Sequence, residues 1–295
     1  MRYVFTVLIV TILSAGCVKD VDASDRTGDT VVELAHENYV DDASKDKAFA
    51  FTVNVRSESM NKDVPVTIVK PDCYRSGEDF PVVYILHGHS GNNNSWNREG
   101  HMERLADKYD VLVVMPDGGW NSWYFDSPIT PEYKYETFVS KELVDYVDEN
   151  FKTLPEPSAR AITGNSMGGH GAFYNAIRHQ DVFGNVGSTS GGVDFRPWPS
   201  NWEIAKRLGS KEEYPENWER NTVINMTDQI KPGLNIIFDC GTEDFFYQVN
   251  CNLHKKLDEA GILHVFNTGP GGHSWSYWFD NIEKHFIFFN NNFRK

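Results

Sequence analysis

Gly164-Asn165-Ser166-Met167-Gly168 follows the short apolar run Ala161-Ile162 and precedes Gly169-His170-Gly171-Ala172-Phe173-Tyr174, which reads as the start of a helix. A strand, a tight turn carrying a serine, and a helix make the pattern of a nucleophile elbow. A serine hydroxyl is a poor nucleophile. Chemistry at Ser166 needs it held on a sharp turn beside a base, with the next backbone N–H aimed where an oxyanion develops. The flanking glycines suit so crowded a turn. Five such residues also arise by chance in glycine-rich loops, so the rest of the chain decides the reading.

Working outward, Pro81–Leu86, Val111–Met115, Arg160–Thr163 and Leu234–Phe238 are nearly continuous apolar runs, the signature of strands buried on both faces of a parallel sheet. Between them lie amphipathic stretches. The clearest has Tyr135, Phe138, Val139, Leu143, Tyr146 and Val147 on one face and Glu136, Lys141, Asp145 and Asp148 on another. Ahead of these, Phe49–Arg56 and Val64–Val69 alternate around Ser59–Asp63 and predict an antiparallel pair at the sheet's N-terminal edge. A last strand is expected near Leu263–Phe266 and a last helix near Trp275–Phe289, whereas Gly191–Thr222 reads as a long irregular insertion able to cover a site. The expectation is an α/β-hydrolase architecture: a mostly parallel central sheet, helices on both faces and an antiparallel N-terminal edge.

In that architecture an acid and then a histidine follow the serine, each on a loop after a strand at the same end of the sheet. The run Leu234–Phe238 leads into Asp239-Cys240-Gly241-Thr242-Glu243-Asp244, which offers three carboxylates. Asp244 is the choice, past Gly241 and just ahead of a helix; Glu243 is the reserve, and Asp239 sits too near the strand for anything but a structural role. The next strand leads into Gly269-Pro270-Gly271-Gly272-His273-Ser274, a loop that can present His273 as the base. Backbone donors for the oxyanion are expected at Met167 and, in the loop Leu86-His87-Gly88-His89, at His89; neither imidazole is needed as a base there. Trp123, Tyr124, Trp198 and Trp275 lie near these loops in sequence and are expected to stack on substrate.

These segments, together with Met115-Pro116-Asp117-Gly118-Gly119, Ser122–Pro128 and Gly271-Gly272-His273-Ser274-Trp275, resemble the Putative esterase family of α/β-hydrolases over roughly residues 50–290. That family includes esterase D, tributyrin esterases, feruloyl and acetyl xylan esterases and the mycolyltransferases of the antigen 85 group. The resemblance implies an ester hydrolase with Ser166, Asp244 and His273 as its triad, an acyl-enzyme intermediate and no cofactor. Short-chain or carbohydrate-linked esters are then the expected substrates. Transfer of the acyl group to an alcohol is the rival chemistry, and a non-catalytic, glycan-binding surface lipoprotein is the rival from another class.

The remaining features bound the setting. The chain has 295 residues, 40% hydrophobic, enough to bury a large core, and a formal net charge of -14 that argues against a nucleic-acid partner. Arg2, the apolar run Tyr3–Leu13 and Ser14-Ala15-Gly16-Cys17 read as an export signal over residues 1–16, too short to span a membrane, ending in a sequence similar to a lipoprotein lipobox. Cys17 would then be lipidated and be the sole membrane attachment of an exported, cell-envelope protein, with simple secretion as the alternative. Residues 17–45 read as a polar tether and 46–295 as the catalytic domain. Of the other cysteines, Cys240 and Cys251 are candidates for a disulfide. No Cys-x-x-Cys or His-x-x-x-His spacing predicts a metal centre.

Overall fold

The computed structural model describes residues 48–293, all within the compact unit Lys47–Lys295. The export signal, Cys17 and the tether lie outside the described residues. Eight strands form one sheet: β1 (Phe49–Ser57), β2 (Lys62–Lys70), β3 (Val82–Leu86), β4 (Leu112–Pro116), β5 (Arg160–Gly164), β6 (Asn185–Thr189), β7 (Asn235–Gly241) and β8 (Val265–Gly269), in the order β1-β2-β4-β3-β5-β6-β7-β8. β1 pairs antiparallel with β2 and β2 with β4, and every later pairing is parallel. The expected antiparallel edge and parallel centre are therefore both present.

The apolar runs are explained by what covers each face. Alternate residues diverge: Val82, Tyr84 and Leu86 of β3 join one hydrophobic cluster, Val83 and Ile85 the other. The first face lies under α2 (Tyr135–Thr137), which continues through a π-helical stretch (Phe138–Glu142) into α3 (Leu143–Asn150), and under α4 (Met167–Arg178) and α7 (Tyr247–Glu259). The second lies under α1 (His101–Tyr109) and α8 (Trp275–Asn292). The insertion after β6 carries two short helices, α5 (Ala205–Leu208) and α6 (Pro215–Arg220), and anchors itself through the buried Phe195 and Trp218.

One strand is added to those expected, and three expectations change. β6, Asn-Val-Gly-Ser-Thr, carries no apolar run, yet it is wholly buried between β5 and β7. A Cβ at Gly187 would stand 2.6 Å from His285 Nδ1 and 2.7 Å from Thr163 Oγ1, so tight packing selects small residues there. Glu136, expected on the wet face of its helix, is buried and accepts from Tyr174 Oη, Arg178 Nε and His179 Nε2. Burial alone would raise its carboxyl; those bonds outweigh it and hold the pKa at about 2. The last strand starts two residues late, because Ile262 and His264 close the turn after α7. Cys240 and Cys251 are both free thiols.

Candidate active site

The turn at Ser166 is made by main-chain crowding. Ser166 holds φ 56° and ψ −116°, a conformation that costs of order 1–3 kcal/mol and persists only where the surroundings enforce it. A Cβ on Gly168 would lie 2.1 Å from the Leu86 carbonyl oxygen, and one on Gly164 2.4 Å from the same atom, so β3 and the elbow pass too closely for side chains. Ser166 N–H donates to Thr189 O of β6 at 3.1 Å, and its own carbonyl accepts from His170 and Gly192 N–H. Three strands thus fix one hydroxyl.

The acid and histidine loops are joined by backbone. Thr242 N–H donates to Gly269 O and Glu243 N–H to Gly271 O, and a Cβ at Gly241 would meet Gly271 O at 2.1 Å. Asp244, its side chain inaccessible to solvent, accepts Phe246 N–H on Oδ1 at 2.8 Å and lies 2.8 Å from His273 Nδ1 through Oδ2. His273 Nε2 is 2.8 Å from Ser166 Oγ. An ionised carboxylate only accepts, which assigns the proton to Nδ1 and turns the Nε2 lone pair toward the serine O–H. The structure brings together Ser166, His273 and Asp244; Glu243 is exposed, while Asp239 is buried against Thr189 Oγ1 and His285 Nε2.

Met167 opens α4, where helix N–H groups have no partner within the helix. The loop carrying His89 lies alongside: a Cβ at Gly88 would stand 2.8 Å from Asn165 Nδ2 and 3.4 Å from Ser166 Cβ. His87 shapes this loop, its Nε2 accepting Gly118 N–H and its Nδ1 donating to Gly88 O, both at 2.7 Å. Burial lowers the pKa of the His89 ring against the opposing pull of Glu203.

Of the four aromatics expected to stack on substrate, two are corrected. Trp123 is 1% exposed, packed on His170, Phe195 and Trp202; Tyr124 is fully buried. Tyr124 is wedged where a Cβ at Gly118 or Gly171 would collide with its ring, and its hydroxyl donates to His87 O at 3.0 Å. Both residues position the loops instead of facing a ligand. Trp198 and Trp275 are partly exposed: Trp198 packs on Phe245 and Phe246, and Trp275 on Trp278, whose ring meets His273 edge-on. The aromatic surface nearest His273 was missed: Phe245, 46% exposed with its ring 4.3 Å from the imidazole, stacked on Trp202. The exposed Trp120 adds a face beside His89. The doublet Phe245-Phe246 directly after the acid is the sequence signal for the first of these.

The Putative esterase family model matches residues 57–289. An acetyl esterase of Caldicellulosiruptor saccharolyticus is 26% identical over 253 residues, 77% of this chain and 92% of that protein. The diacylglycerol acyltransferase/mycolyltransferase Ag85A of Mycobacterium leprae is 30% identical over 272 residues, 78% of this chain and 79% of that one. Among solved structures, a ferulic acid esterase superposes with a TM-score of 0.73 at 25% identity, covering 84% of this chain and 99% of its own. With its α/β-hydrolase sheet and these relatives, the chain belongs to the Putative esterase family and is a carboxylic ester hydrolase.

Proposed function

We propose that the protein is a serine esterase acting on short-chain or carbohydrate-linked acetyl and feruloyl esters, with Ser166 as nucleophile, His273 as base and Asp244 as its orienting acid. The observation that carries this reading is the hydrogen-bonded chain Ser166 Oγ, His273 Nε2, His273 Nδ1, Asp244 Oδ2, with 2.8 Å at each contact between residues. His273 takes the serine proton as Oγ attacks the ester carbonyl, and Asp244 stabilises the resulting imidazolium. The N–H groups of Met167 and His89 bind the tetrahedral oxyanion. Alcohol departs with the proton held by His273, and water activated by the same imidazole releases the acid and restores Ser166. The aromatic rim of Trp120, Trp198, Trp202 and Phe245 supports a planar acyl group or a sugar as the part recognised.

The test is labelling of the pure protein with a fluorophosphonate, followed by peptide mass mapping, beside a panel of p-nitrophenyl acetate and acetylated and feruloylated xylo-oligosaccharides. The expected outcome is a single adduct on Ser166 and turnover on the panel. An unlabelled Ser166 with turnover intact would overturn the assignment. Acyl transfer to an alcohol is the second reading, favoured by the 30% identity to an acyltransferase/mycolyltransferase; transesterified product on adding glycerol to the assay would select it. The leader of residues 1–16 and Cys17 support action at the cell envelope, tested by lipid labelling that Cys17→Ser removes.

A further inference from the structure

Neither Cys-x-x-Cys nor His-x-x-x-His occurs in the chain, yet the fold gathers His254, Asp258 and His264 with one donor atom of each within 4.8 Å of the others. This is the one such group of three among the described residues. His254 and Asp258 are four apart on α7 and share a face. The turn closed by Ile262 N–H on Leu257 O then returns His264 beneath them, just ahead of β8.

The His264 side chain is only 2% exposed. Its Nδ1 donates to Ile262 O at 2.7 Å, which leaves the Nε2 lone pair turned toward His254 Nδ1, also 2.7 Å away. A buried imidazole with its outer N–H tied to a backbone carbonyl and its inner lone pair facing further donors is held in the manner of a metal ligand.

We propose that His264 Nε2, His254 Nδ1 and Asp258 Oδ1 bind a first-row divalent ion such as Zn²⁺. Two imidazoles and one carboxylate suit Zn²⁺ or Co²⁺ and do not suit Ca²⁺ or Mg²⁺. Asp258 Oδ1 is 3.8 Å from His264 Nε2, and Asp258 Oδ2 is 3.4 Å from His254 Nε2. Tetrahedral ligands at bonds of about 2.1 Å stand about 3.4 Å apart, so the partly exposed His254 ring opens by roughly 0.7 Å while Asp258 closes by roughly 0.4 Å. The His254 proton moves from Nδ1 to Nε2, on the side of Asp258 Oδ2, and no proton leaves the site. Water completes the coordination, since Asp258 is 60% exposed. The cluster stands at the start of β8 and His273 follows its end, so the ion clips α7 to an edge strand and takes no part in the reaction.

The test is titration of the chelator-treated full chain, free of any polyhistidine tag, with Co²⁺ and then Zn²⁺. Expected are the visible d–d absorption of four-coordinate Co²⁺ saturating at one equivalent, its displacement by Zn²⁺, and a Tm rise of roughly 5 °C or more at a hundredfold excess of Zn²⁺ over Kd. His264→Gln and the surface double variant His254→Gln/Asp258→Asn should lose all three. The double variant should keep its metal-free Tm and its rate on p-nitrophenyl acetate. No saturable band, a band that persists in the double variant, or one abolished by His273→Gln would each overturn the proposal.

Discussion

Asp239 Oδ2 and His285 Nε2 face each other at 2.7 Å, both side chains almost wholly buried, so a second acid–imidazole pair lies in the core near Asp244 and His273. Asp239 also accepts from Thr189 Oγ1, and Thr189 O is the acceptor of Ser166 N–H. Removing one member of a buried pair strands the other, at a cost of about 3–5 kcal/mol. Asp239→Ala should therefore lower Tm strongly, while turnover per folded molecule stays within about tenfold. Asp244→Asn should do the reverse, reducing kcat about 10⁴-fold with little change in Tm. Thermal denaturation and active-site titration separate the two.

Gly168→Ala tests whether main-chain crowding builds the elbow. Its Cβ would meet the Leu86 carbonyl oxygen at 2.1 Å and its carbon at 2.5 Å, and neither backbone atom can move without shifting β3. Strain of this kind typically costs about 1–3 kcal/mol or more. The expected result is a lower urea midpoint and a fall in kcat of at least about 10²-fold, since the Ser166-to-His273 geometry must change.

The rim and the buried aromatics should respond differently. Phe245→Ala is expected to raise KM for a feruloyl ester several-fold, leave acetyl ester hydrolysis nearly unchanged and leave Tm unaltered. Trp123→Ala, by contrast, empties a fully packed site and should cost about 3–5 kcal/mol. Equal effects of Phe245→Ala on both esters would remove it from acyl recognition.

Acid sensitivity should begin above the carboxylate range. Burial pushes the His170 imidazole down to about 4, against its hydrogen bond to Asn221 O. An unfolded chain has its histidines near 6.5, so between roughly pH 6.5 and 4 the unfolded state binds the extra proton. Stability from this site is complete above about pH 6.5 and falls as the pH drops to about 4, by about 3 kcal/mol in all. Glu136, held at about 2, adds a second loss as the pH falls below the ordinary carboxylate range. His170→Gln should flatten the slope of unfolding free energy against pH across the first window, whatever its effect at pH 7.

The parallel centre of the sheet was legible because its strands bury both faces and so repeat apolar residues, and the elbow because Gly-x-Ser-x-Gly needs both glycines for contact with Leu86. That Asp244 and His273 would lie beside Ser166 was legible from their order after β7 and β8. β6 was not, since a strand squeezed between neighbours and α8 selects small residues, and Asn-Val-Gly-Ser-Thr reads as a loop. Glu136 was misplaced because a helical period assigns a face without naming its partners, and Arg178 and His179 come from another helix. Trp123 and Tyr124 were misassigned for a related reason: nearness in sequence to the site says nothing of which side of a loop a ring covers.

The serine hangs from β5 in the middle of the sheet and the histidine from β8 at its rim, a strand with only one neighbour and much of its surface in solvent. Edge elements open at lower free energy than central ones. On warming, β8 should peel first and carry the imidazole away from the hydroxyl while the other seven strands hold. Catalysis would then fade, and return on cooling, several degrees before the circular dichroism of the sheet reports any melting.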